Sequence, residues 1–63
     1  MKTVLVTGAT SGIGEACVAR FSKEGYRIIA LGRDKEKLER VRVNSLSMGA
    51  ENFKSFSIDF QDL

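Results

Sequence analysis

The chain has 63 residues, ten basic against eight acidic, one cysteine and no histidine. A domain of this length hides only about 60% of the surface its unfolded chain exposes, and small domains usually compensate with disulfides or a structural metal. A single cysteine without histidine rules out both. A net charge of +2, spread evenly, gives no ground for a nucleic-acid or anionic-membrane partner. The 43% hydrophobic and 29% charged fractions are those of a globular protein.

Lys2 to Thr7 is aliphatic and β-branched without strict alternation, and Gly8 follows at once. That pattern predicts a first strand buried on both faces. The short apolar run Val4-Leu5-Val6 is far from the about 20 residues that span a bilayer and too brief for a leader. The chain therefore reads as cytoplasmic, which a lone reduced cysteine fits.

Ile13, Ala16, Cys17, Arg20, Phe21 and Glu24 fall at helical spacing, predicting a helix over 13–24 stopped by Gly25. This reading puts Cys17 on the buried stripe as a small core residue. Tyr26 to Leu31 is a second buried strand, ended by Gly32. Asp34 caps a second helix, with pairs Lys35/Glu39 and Glu36/Arg40 one turn apart, and Gly49 closes it. The interleaved charges of that helix read as a solvated face. Phe53 to Asp59 alternates, predicting a third strand with one wetter face.

Strand, helix, strand, helix, strand with short connections predicts an α/β fold: a parallel three-stranded βαβαβ unit, one mononucleotide-binding half of a doubly wound sheet. The turn from first strand to first helix carries Thr7-Gly8-Ala9-Thr10-Ser11-Gly12-Ile13-Gly14. Three glycines there have three uses. Gly8 permits a conformation that a side chain resists, Gly12 leaves room for a diphosphate, and Gly14 admits close packing. The first amides of the helix, Ile13 among them, face an anion, and Thr10 and Ser11 can add hydroxyl donors. No Gly-Lys-Ser/Thr follows, which excludes a triphosphate P-loop.

The stretch resembles the Thr-Gly-x-x-x-Gly-x-Gly signature of the short-chain dehydrogenase/reductase family, matched at Thr7, Gly8, Gly12 and Gly14. The resemblance implies a Rossmann-like fold with strand order 3-2-1 and a nicotinamide dinucleotide on the glycine turn. An NAD-preferring fold carries an acidic residue at the end of the second strand for the ribose hydroxyl. Here Gly32 and Arg33 stand there, so NADP is expected over NAD, with Arg33 holding the 2′-phosphate. Ser11 departs from the basic residue that NADP-using relatives often carry just before the second glycine. Asp59-Phe60-Gln61-Asp62 resembles the family's Asp-x-x-Asp segment, which implies Asp59 on the adenine amino group with Phe60 beside the ring.

The family's hydride transfer depends on an asparagine, a serine and a Tyr-x-x-x-Lys pair further along, and none is found. The one tyrosine, Tyr26, is followed four residues on by Ala30. No catalytic residue is assigned. The expectation is that residues 1–63 are the incomplete N-terminal part of an NADP(H)-binding domain in an oxidoreductase acting on a carbonyl or alcohol substrate. The alternative is a stand-alone, non-catalytic nucleotide-binding domain. Val4, Leu5 and Val6 would then lie on an open edge, needing either self-association or the C-terminal part of a longer protein to cover the first strand.

Overall fold

The computed structural model describes residues 2–58. The elements run β1 (Thr3–Thr7), α1 (Gly12–Lys23), β2 (Arg27–Gly32), α2 (Lys35–Met48) and β3 (Asn52–Ser57). The three strands form one sheet in the order β1-β2-β3, with both pairs parallel. The expected architecture and strand order are those observed.

Register fixes which side chains meet. Val4, Ile28 and Phe53 form one row across the sheet, and Val6, Ala30 and Ser55 the next on the same face. That face carries the helices: Val6, Ile28, Ala30 and Phe53 pack with Ala9, with Val18 of α1 and with Leu38 and Val41 of α2. Two successive right-handed crossovers that step across the sheet in the same direction, β1 to β2 to β3, put both helices on one side, which is the observed layering.

The opposite face is open among the described residues. Leu5, Ile29 and Lys54 form one row there, and Thr7, Leu31 and Phe56 another. Leu5 is 59% exposed and Phe56 52% exposed. The expectation that β1 is buried on both faces is thus corrected: only the helix side is covered, and β1 pairs with β2 alone.

A second correction concerns α1. Its buried residues are Gly14, Val18 and Ser22, whereas Ile13 is 83% exposed and Cys17 is exposed. Residues four apart share a helix face, so the residue that touches the rest of the fold first decides which face turns inward. Here that residue is Gly14, pressed against the backbone of Gly8 and Ala9. Of the more apolar stripe, Ile13, Ala16 and Cys17 are exposed on the outer surface of α1, and Phe21 alone packs against the core.

Both ends of α2 are as expected. Asp34 Oδ1 accepts the amides of Glu36 and Lys37 at 3.0 and 3.2 Å, and Gly49 closes the helix in the left-handed conformation. The surface ion pair differs: instead of Lys35/Glu39 and Glu36/Arg40, Arg42 binds Glu39 at 2.6 Å. Between the helices, Ser22 and Ser45 are fully buried and their hydroxyls lie 2.6 Å apart. No helix among the described residues is long and apolar enough to cross a membrane.

Candidate functional site: the glycine turn and the end of β2

The turn between β1 and α1 is held by its own backbone. Gly8 has φ +65°, which leads the chain off the strand in a conformation that L side chains rarely adopt. Its carbonyl oxygen accepts the Ser11 amide at 2.9 Å and the Ser11 hydroxyl at 2.7 Å. The Ser11 oxygen in turn accepts the Gly14 amide at 3.1 Å, making Ser11 the N-cap of α1. Its hydroxyl proton is therefore engaged inside the turn.

These bonds leave donors over at the start of α1. The amides of Gly12 and Ile13 have no acceptor among the described residues. They are two of the orphan N–H groups every helix start presents, and they sit at the positive end of the α1 dipole. A β-carbon on Gly12 would meet nothing within 4 Å, so the space beside this helix start is open. The donors and the room fit an anionic phosphate group, which is the chemistry a nicotinamide dinucleotide offers.

The glycines at 12 and 14 thus serve different ends. A β-carbon on Gly14 would lie 2.7 Å from the Gly8 carbonyl carbon and 2.9 Å from Ala9 Cα, both backbone atoms that cannot yield. The fold itself requires Gly14. Nothing among the described residues requires Gly12.

The turn is tied to the end of β2, where the second group of candidate residues lies. The Ala9 amide donates to the Leu31 carbonyl at 3.1 Å. The Thr10 methyl lies 3.4 Å from where a β-carbon on Gly32 would be, and Leu38 Cδ2 lies 3.3 Å from it. Any side chain at position 32 would have to force Thr10 or Leu38 aside. The next residue, Arg33, is exposed and makes no ion pair among the described residues. Thr10 and Arg33 therefore flank Gly32, one across the turn and the other along the chain.

Gly8, Thr10, Ser11, Gly12, Ile13 and Gly14 thus lie together in one turn bonded to β2, and Arg33 follows β2 directly. Asp59 and Phe60 lie outside the described residues. The separate uses of Gly12 and Gly14 were already expected from the sequence. Sequence reasoning missed the use of Ser11 as a cap, which a serine two residues before Ile13 signals. No group of three or more metal-ligating side chains occurs among the described residues.

Comparisons agree on one family. The family model described as short chain dehydrogenase matches residues 2–63. A serine 3-dehydrogenase of Rhizobium radiobacter is 43% identical over 60 residues, covering 95% of this chain and 22% of that protein. The NADP-dependent 3-hydroxy acid dehydrogenase YdfG of Escherichia coli (strain K12) is 49% identical over 39 residues, covering 62% of this chain and 16% of its own length. Among solved structures, a short-chain dehydrogenase from Sphingobium yanoikuyae in complex with NADPH aligns with a TM-score of 0.86 at 30% identity, over 94% of this chain and 23% of that one. The chain spans about a fifth of the length of the curated relatives it matches.

Proposed function

The chain belongs to the short-chain dehydrogenase family, and from that premise we propose that its residues form the N-terminal cofactor-binding part of an NADP-preferring oxidoreductase. The observation that carries the reading is Gly12: a helix start with two unpaired amides and an unoccluded glycine where the fold needs none. The amides of Gly12 and Ile13 hold the phosphates of the dinucleotide, and Thr10 lines the approach. When bound, the cofactor supplies or accepts hydride at its nicotinamide ring, acting on a carbonyl or alcohol group of the substrate. The groups that hold and protonate that substrate belong to the rest of a longer protein. That remainder, or a second copy, covers the open edge of β1.

Cofactor choice follows from charge. No carboxylate stands at position 32 or 33 to repel a 2′-phosphate, and Arg33 offers an exposed guanidinium just past β2. A planar guanidinium engages phosphate through charge-assisted hydrogen bonds, whereas a free ribose hydroxyl gives it no anion to bind. The relative from Escherichia coli is NADP-dependent and the Sphingobium structure contains NADPH. Asp59 and Phe60 take the adenine end.

Titration calorimetry on the full-length protein tests this. NADPH binds more tightly than NADH, and Arg33→Ala lowers that ratio about tenfold or more, the loss of one to two charge-assisted bonds. Equal affinities in the unmodified protein overturn the assignment.

A further inference from the structure

The segment that carries Arg33 is anchored at each of its three residues. The Gly32 carbonyl accepts the Ile58 amide at 2.8 Å, continuing the β2–β3 ladder. Asp34 is held by its capping bonds to α2. Between them, the Arg33 carbonyl accepts the Ser57 hydroxyl at 3.0 Å, a side chain 24 residues away on β3. The first anchor is a ladder bond and the last a helix N-cap. The middle one belongs to neither.

Ser57 is an exposed residue at the last position of β3. A hydroxyl in such a place adds nothing to the apolar core, and the register of β3 is already set by its pairing from Asn52 to Ser57 along β2. What the Ser57 hydroxyl does is fix the orientation of the peptide group that follows Arg33. That constrains ψ of Arg33, and so the base from which its long side chain starts. An arginine loses rotamer freedom on binding, and a backbone held beforehand reduces what remains to be ordered.

We propose that Ser57 is a positioning residue for Arg33, and that it raises the preference for the 2′-phosphorylated cofactor without touching that cofactor itself. The inference rests on the reading of Arg33 given above. Its mark is selectivity: a cofactor without the 2′-phosphate does not engage the guanidinium, so it gains nothing from having Arg33 held.

The test measures NADPH and NADH affinities by calorimetry on the full-length protein and its Ser57→Ala, Ser57→Thr, Arg33→Ala and Arg33→Ala/Ser57→Ala variants. Ser57→Ala lowers the NADPH-to-NADH affinity ratio about threefold to tenfold, the scale of one hydrogen bond. Ser57→Thr, which keeps the hydroxyl, restores the ratio. In the Arg33→Ala background, Ser57→Ala changes the ratio no further. A Ser57→Ala variant that weakens both cofactors equally, or neither, while Arg33→Ala still lowers the ratio, overturns the role of Ser57 alone. An Arg33→Ala variant with an unchanged ratio overturns the reading of Arg33, and the inference with it.

Discussion

Gly14 and Gly8 touch backbone to backbone: a β-carbon placed on Gly14 would come within 2.7 Å of the Gly8 carbonyl carbon, and closer still to its oxygen. This contact sets how near α1 lies to the end of β1 and which of its faces turns inward. Since both partners are main chain, no rotamer change relieves the clash. Gly14→Ala therefore destabilises the protein by about 1–3 kcal/mol or more, as overpacking against rigid neighbours does. The loss appears as a lower urea midpoint with the slope unchanged. An unaltered midpoint would mean that the turn can open to admit a methyl group.

Much of this was legible in the chain itself, because the glycine turn and the helix caps are local. Gly8, Asp34 and Gly49 each answer a conformational need set by immediate neighbours. The orientation of α1 was not legible. Ranking its faces by apolar content selects Ile13 and Cys17, whereas the inward face is chosen by Gly14, a residue with no hydropathy to count. Starting from Gly14 and stepping by four gives Val18 and Ser22, the buried set. Nor does sequence pattern reveal that Ser22 meets Ser45, since two serines 23 residues apart carry no mutual signal.

The Ser22–Ser45 contact has a direction. Ser22 Oγ donates to the Val18 carbonyl at 2.6 Å, so its proton is spent and Ser45 is the donor across the helix pair. Removing Ser22 strands the buried Ser45 hydroxyl, at a cost of about 1–3 kcal/mol. Removing Ser45 leaves Ser22 satisfied by Val18 and costs about 0.5–1.5 kcal/mol. The double variant Ser22→Ala/Ser45→Ala loses less than the sum, because the stranded group is gone too. Chemical denaturation of the three variants checks the order; equal single costs with full additivity would contradict the donor assignment.

Glu39 and Arg42 supply a titration marker on the outer face of α2. The hydrogen bond from Arg42, reinforced by its charge, holds the Glu39 carboxyl below the ordinary glutamate value. A depressed carboxyl favours the folded state above the unfolded group's pKa, and that contribution fades as pH falls through the folded value. Both side chains are solvent-exposed, so the effect is screened and shrinks as the Debye length falls to about 3 Å at 1 M salt. Carbon-detected NMR titration shows a lowered midpoint for Glu39, and Arg42→Ala returns it toward the ordinary value. A midpoint indifferent to Arg42→Ala would mean the pair does not persist in solution.

Gly12 separates folding from binding. Its backbone is not left-handed, and a β-carbon there meets nothing within 4 Å, so Gly12→Ala strains no part of the fold. Alanine is the better helix residue by up to about 1 kcal/mol, less at a helix start, and it narrows the unfolded ensemble. The variant's melting temperature therefore holds or rises slightly. The same methyl group adds bulk beside the unpaired amides of Gly12 and Ile13, where the proposed phosphate site lies. NADPH affinity falls about tenfold or more, read by calorimetry against the melting curve of the same sample. Unchanged affinity in the Gly12→Ala protein would show that the phosphates do not sit on this backbone. A fall in melting temperature would show instead that the fold needs a glycine at this position.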